Sequence, residues 1–247
     1  MKTKKPTAML IAAALVAALT ACGGGGKDAY VDEPEPRRTA TSDAATTEPP
    51  PATPGDVIQF GGYDWRVLDA QDGKALIITD KVIESRAYNE EQIEVTWETC
   101  DLRAYLNGGF YNSFSAADKA KIVKTRISNR DNQWFNTPGG KDTDDYIFLL
   151  SLEEVVKYFG DSGQLNNGDL DDWRINDQYN DDRIAYHVGG TYDGYTKDEG
   201  EASSWWLRSP GSNSSSVADV ILNGHVYIDG YNVSRDNGVR PAMWVSL

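Results

Sequence analysis

The residues of this 247-residue chain that could do chemistry crowd into its last third. Asn213, Asp219, Asn223, His225, Tyr227, Asp229, Tyr231 and Asn232 interleave there with Ala218, Val220, Val226 and Ile228. Such alternation sends polar and apolar side chains to opposite faces of a strand. The eight polar residues offer amides, carboxylates, an imidazole and phenols, which recognise ligands through hydrogen bonds and ring contacts. They form the candidate ligand-binding set, although the same residue types are ordinary in turns and edge strands.

Other chemistries find less support. His187 and His225 each lack a partner at ligand spacing, so no zinc site is expected. Calcium is a candidate because oxygen ligands abound from Asp161 to Glu201, but no stretch matches the calcium-loop template. Asn166-Asn167-Gly168-Asp169 resembles only a fragment of it, and a solvated acidic loop is the alternative. No Gly-x-Ser-x-Gly elbow occurs, and Cys100 sits among core-type residues, as a small buried hydrophobe would. Two carboxylates of the 161–201 segment could serve a hydrolase, but 38 acidic residues single out no pair.

The elements that must position these groups can be read from periodicity. Val57–Phe60, Tyr63–Asp69 and Lys74–Thr79 are strand-like runs separated by Gly61-Gly62 and Asp72-Gly73, which predicts a meander. Thr99 to Phe114 predicts a helix, with Leu102, Tyr105, Leu106 and Phe110 on one face and Gly108-Gly109 weakening its end. Ser115 and Asp118 predict the start of a second helix running through Ile122 and Val123. A strand is expected over Tyr146–Leu150, and a Ser151/Glu154 capping box should start a helix over Leu152–Phe159 that stops at Gly160. After a long polar loop, strands are expected over Trp205–Ser209, Val217–Leu222, His225–Asp229 and Val239–Val245. The class is α+β, with two or three helices, several short antiparallel strands and a long polar loop.

Register refines the surface. With Ala218, Val220 and Leu222 facing the core alongside Val226 and Ile228, Asp219, Ile221, Tyr227 and Asp229 face outward. A two-residue Asn223-Gly224 turn would set Val220 opposite Tyr227, so the apolar pattern favours a longer connection with His225 at the turn. Trp205 and Trp206 point to opposite faces, so at most one can be exposed. Arg208 and Arg240 read as supports that donate to loop carbonyls.

Trp205-Trp206-Leu207-Arg208-Ser209-Pro210-Gly211 and Gly238-Val239-Arg240-Pro241-Ala242 resemble the bacterial family known as domain of unknown function 6273. Phe60 through Leu68, Leu102-Arg103-x-x-Leu106-Asn107 and Phe148–Leu152 fit the same pattern, so the resemblance covers nearly all of Val57–Leu247. It implies a compact C-type-lectin-like fold, shared with formylglycine-generating enzymes and with the variable proteins of diversity-generating retroelements. The enzymes need a pair of active-site cysteines, and the domain after the stalk has one, Cys100, on the wrong element. The variable proteins contact ligand through polar positions set in a fixed C-terminal scaffold, as the Asn, Asp, Ser, Tyr and His residues here are set. Diversification and a fixed polar surface are both open readings.

The N-terminus supplies an address. Lys2, Lys4 and Lys5 precede 12 apolar residues, Ala8–Leu19, too short for a bilayer span and suited to a secretory signal. The run ends in Leu19-Thr20-Ala21-Cys22, which resembles a bacterial lipobox, so residues 1–21 are expected to be removed and Cys22 lipidated. Residues 22–55 read as a stalk holding six of the ten prolines, and 56–247 as the globular domain. Losing three lysines takes the net charge from −14 to −17, which opposes binding to nucleic acid or an anionic membrane surface. The expectation is a cell-surface display module that binds an extracellular protein, glycan or phage, attached to the membrane through its lipid. Alternatives are a cell-wall or glycan hydrolase and a structural envelope component.

Overall fold

The structure, a computed structural model, describes residues 52–167, 173–187, 196–197 and 200–247. The signal segment, Cys22, most of the stalk and Gly168–Asp172 lie outside the described residues, and with them the end of the calcium-loop fragment.

The first three strands, β1 (Val57–Phe60), β2 (Tyr63–Gln71) and β3 (Lys74–Thr79), form an antiparallel meander at the expected places. Gly61 makes its first turn in the left-handed region (φ 57°), and a Cβ there would collide with the ring of Phe114. After β4 (Glu84–Ala87) come α1 (Asp101–Tyr105), a π turn over Leu106–Phe110 and α2 (Tyr111–Ser113). The π turn falls where Gly108-Gly109 interrupts the expected helix, and glycines hold helical hydrogen bonds least firmly.

Ser115 caps α3 (Ala116–Lys121) by accepting from the Asp118 amide, as its sequence signature requires. Ile122 and Val123 do not continue that helix. They form β5 (Ile122–Val123), paired with the C-terminal strand, because sheet pairing outweighs helical propensity in two β-branched residues. Two short strands follow, β6 (Thr125–Ile127) and β7 (Thr143–Asp145). The strand expected over Tyr146–Leu150 starts and stops earlier, at β7. Ile147–Leu150 are buried but form no ladder: Phe148 bridges to Ala242, the Asn107 amide group holds the Ile147 backbone, and the Leu150 carbonyl takes the Arg208 amide at 2.9 Å.

Helix α4 (Leu152–Phe159) has both halves of its capping box, and Gly160 ends it. The expected polar loop contains short elements: β8 (Arg174–Ile175), α5 (Asn180–Arg183), β9 (Ala185–Tyr186), β10 (Thr196–Lys197) and β11 (Gly200–Ser203). The last third gives β12 (Trp205–Pro210), β13 (Ser216–Val220), β14 (Val226–Asn232), β15 (Asp236–Val239) and β16 (Ala242–Ser246). The single strand expected over 239–245 is therefore two. Pro241 has no amide to donate to a ladder, and the chain changes sheet across Arg240-Pro241.

One sheet has the order β1-β2-β3-β16-β5, and a second has the order β4-β15-β12-β13-β14-β8. Within the second, β12 and β15 run parallel and the other pairs antiparallel. One hydrophobic cluster runs from Trp65 and Ile77 in the first sheet, through Phe148 and Leu149, to Trp205, Val220 and Val226 in the second. No helix among the described residues is long and apolar enough to cross a membrane.

Asp145 is one of the charged residues buried beside this cluster. Its buried carboxylate accepts from Trp97 Nε1 at 2.8 Å, Thr143 Oγ1 at 2.7 Å and Arg103 Nε at 2.8 Å. Asp144 beside it meets Arg126 in solvent at 3.3 Å. Removing one partner of a buried pair strands the other, at a cost of about 3 kcal/mol, whereas an exposed pair contributes well under about 1 kcal/mol. Asp145→Ala should therefore lower the urea midpoint severely and Arg126→Ala hardly at all; similar losses in both would refute this ranking.

Candidate functional site

The site is built on the face of the second sheet that carries Asp219. Asp219 lies opposite Trp206 on β12 and Tyr227 on β14, and Tyr227 opposite Arg174 on β8, so these residues form one cross-strand row. Val220 pairs with Val226, and the connection between β13 and β14 is the longer one, spanning Ile221–His225. It closes with the Ile221 amide on the His225 carbonyl at 2.9 Å. Gly224 turns it at φ 81°, and a Cβ there would strike the Asn180 carbonyl of α5, so α5 holds this loop in place.

Above that face is a cleft of about 340 Å³, with Asp219 and Asn237 at its base and Ile221, Leu222, Tyr231 and His187 among its walls. Asp219 is only 3% exposed and accepts from Asn237 Nδ2 at 3.0 Å. Asn237 is oriented in turn by the Gly238 amide, which donates to its Oδ1 at 2.8 Å. Burial pushes the Asp219 carboxyl up to about 7; the Asn237 hydrogen bond opposes this and the nearby Asp229 charge adds to it. Tyr231, 46% exposed, forms the aromatic rim, its ring 5.9 Å from that of Trp206. Trp206 is itself pinned by its Nε1 hydrogen bond to the Arg86 carbonyl at 2.8 Å and by edge contact with Tyr88. Trp205 and Trp206 do point to opposite faces, and both are fully buried.

Of the eight candidate residues, the cleft gathers two, Asp219 and Tyr231. Asn213 and Asn232 lie at the far end of β13 and β14, where their side-chain oxygens accept from the amides of Ser215 and Ser234 and shape turns. Asn223 does the same for His225 at the opposite end. His225 is half-buried in that loop, its pKa lowered by burial and then by Arg174 and Arg183. Tyr227 accepts from Arg174 Nη1 at 3.3 Å, with the guanidinium 5.7 Å from its ring. Asp229 is half-buried on β14, its pKa raised by burial, and its Oδ1 is buried without a hydrogen bond. The expected outward row is therefore split, because strand length separates its two ends by about 15 Å.

Leu222 corrects a second expectation. It lies beyond the end of β13, is 39% exposed and lines the cleft instead of facing the core. Asp219 is on the expected face but not at the surface. Sequence reading missed Ser85, His187, Ser203 and Ser204 as cleft residues. They come from segments before β12 whose local pattern carries no sign of it; Asp236 and Asn237, which also line the cleft, belonged to the polar run of the last third.

The other chemical candidates have structural roles. Cys100 caps α1, its sulfur accepting from the Arg103 amide at 3.4 Å, and burial pushes its thiol up to about 12. In the polar loop, Asp177 grips Arg183 through both carboxylate oxygens, at 2.8 and 3.1 Å. Among the described residues, no group of three or more His, Cys, Asp or Glu converges as a metal site would. Arg208 donates to the Leu149 and Ser128 carbonyls and Arg240 to those of Thr79 and Asp80, the supporting roles expected of them.

Fold and site thus define an α+β domain with a small, acid-floored cleft on its second sheet. The chain belongs to the family described as "Domain of unknown function (DUF6273)", whose model matches residues 72–247. The Phe60–Leu68 opening precedes the matched range. No curated protein and no solved structure gives a significant match.

Asp219 makes stability depend on pH. Between about pH 4 and 7 the folded protein retains a proton at Asp219 that the unfolded chain has released, so stability falls as pH rises through that window. Tm measured from pH 4 to 8 should show this decline, and Asp219→Asn should remove most of it. A slope that persists undiminished in the variant would assign the cost to another group.

Proposed function

We propose that the protein is a lipid-anchored binding module of the bacterial cell surface that receives an external partner in the Asp219–Asn237 cleft. The observation that carries this reading is the cleft itself: a concavity with a buried acid and amide at its base and an exposed tyrosine at its rim. Small-ligand sites are concave and largely apolar, with a few convergent polar groups, and this one is near the lower end of their volume range. The signal-like N-terminus, Leu19–Cys22 and the Pro-rich stalk support a location for such a site outside the cell. The partner is a protein, a glycan or a phage component.

A C-type-lectin-like architecture is consistent with the pairing of the first strands, β1–β3, with the C-terminal β16 in one sheet, and with short strands rising from a polar loop. The hydrolase alternative is less well supported, since Asp177 in that loop is committed to Arg183 and Asp161 to the Gly163 amide.

Binding should be measured against panels of host-surface proteins and glycans. Tyr231→Ala and Leu222→Ala should each weaken it about fivefold or more, as loss of a ring or apolar anchor does, while Asn213→Ala and Asn232→Ala leave it unchanged. Equal effects of all four changes would remove the cleft from the reading. In cells, labelled palmitate should enter the full-length protein and not a Cys22→Ser variant; labelling of the variant would dismiss the anchor.

A further inference from the structure

We propose that the cleft takes an organic cation, a primary ammonium group on a short apolar body, held between the Asp219 carboxylate and the Tyr231 ring. The inference rests on the cleft being the binding site and adds the class of ligand. Among the described residues, those lining it include the acids Asp219 and Asp236 and no lysine or arginine, with His187 as their one base.

Asp219 is an unusual group to leave in that setting. Buried carboxylates are normally matched by a cation, as Asp145 is by Arg103 and Asp177 by Arg183 in this molecule. The hydrogen bond to Asp219 comes instead from the neutral Asn237 amide, and the charge that acts on it is that of a second acid, Asp229. A carboxylate so placed lowers stability until a positive group enters the cleft.

The walls suit an ammonium carried on carbon. Tyr231 presents a ring of the kind that attracts a cation within about 6 Å, and Ile221, Leu222 and Ala202 offer apolar surface to a methylene chain. A metal ion fits less well: calcium takes roughly six to eight oxygens, and no metal-like group of three acids or histidines converges among the described residues. A neutral sugar could use the aromatic rim and the amide, but it would leave the surplus of acid unanswered. The net charge of −14 raises the local concentration of cations around the whole molecule.

Binding of a cation requires Asp219 to be ionised, so affinity should fall as pH drops below about 7. The charged and titratable groups packed around Asp219 are Asp229, Tyr227 and Tyr231 on β14, Asp236 on β15 and His187 just after β9.

The test uses the full chain, with tryptophan fluorescence and NMR shifts as readouts. Cadaverine represents a free amine and Nα-acetyl-lysine methylamide a protein side chain; the neutral probes are the Nε-acetylated lysine and N-acetylglucosamine. At pH 8 one or both amines should bind saturably, and the stronger identifies the source, while the neutral probes should not bind. Affinity should fall about tenfold for each pH unit below 7, and His187→Gln should keep that profile. Asp219→Asn should abolish amine binding, and Tyr231→Ala should weaken it about threefold or more. Should Asp219→Asn fail to fold, Tyr231→Ala, at an exposed position, carries the test. Amine binding indifferent to both variants, a pH profile lost in His187→Gln, or preferential binding of a neutral probe would overturn the cation assignment. No amine binding, with panel binding still sensitive to Tyr231→Ala, would overturn it and leave the cleft as the site. No amine binding, with panel binding indifferent to Tyr231 and Leu222, would overturn both.

Discussion

The buried guanidinium of Arg208 is the contact on which the rest of the molecule is arranged. It donates to the Leu149 carbonyl at 2.7 Å and the Ser128 carbonyl at 3.2 Å, and it pairs with Glu154. Glu154 is also half of the capping box that starts α4, so one carboxylate serves the helix terminus and the sheet together. The backbone of Arg208 adds two more ties, its amide to the Leu150 carbonyl and its carbonyl to the Tyr88 hydroxyl. An ion pair of this depth stabilises little on its own, but losing one member would strand a buried charge and several carbonyls, at a cost of about 3 kcal/mol or more. Position matters as much as energy. Arg208 is on the strand that carries Trp205 and Trp206, so whatever holds it also holds the base of the cleft.

Arg240 plays the matching part where the chain passes between sheets. Its Nε donates to the Thr79 carbonyl at 2.8 Å and its Nη2 to that of Asp80 at 3.2 Å. The guanidinium lies 5.0 Å from the Trp205 ring and 5.3 Å from that of Phe159. Burial brings its pKa down to about 9, which still leaves it charged at neutral pH. Arginine suits such a place because its planar, weakly hydrated group can donate in its plane while stacking on rings. Pro241 beside it ends one ladder, and the two residues together route β15 into the second sheet and β16 into the first.

The cleft follows a different logic from these two arginines. Arg208 is buried against an acid that answers its charge and Arg240 against carbonyls and rings, whereas Asp219 is buried with a neutral amide and a neighbouring acid. Such a residue costs stability in the free protein, and positions of that kind are tolerated where function uses them. The aromatic pair beside it is rigid on one side and open on the other: Trp206 is pinned by Arg86 and Tyr88, while Tyr231 keeps nearly half its surface in solvent. A prepared base and an accessible rim suit reversible capture of a ligand.

Much of the fold was legible residue by residue. Ser151 and Glu154 announce α4 because a capping box needs only two side chains three positions apart, and β1 to β3 show in short runs bounded by glycine turns. Local steric and hydrogen-bond preferences settle such features before the chain is packed. The same local reading carried Ile122 and Val123 into a helix and ran one strand through Pro241, because their pairing partners are far away in sequence. The site was legible only in part for the same reason. Asp219 and Tyr231 stood out by type, but Asn213, Asn223, His225 and Asn232 share those types and serve turns. Ser85, His187, Ser203 and Asn237 meet around Asp219 only after strands distant in the chain have been laid side by side. Sequence by itself determined the α+β class, the caps, the family motifs and the polar character of the last third, all of which depend on neighbours along the chain. Tertiary structure alone decided which polar residues share a cavity and that Asp219 lies buried without a cation among the described residues, because burial and charge pairing are properties of neighbours in space.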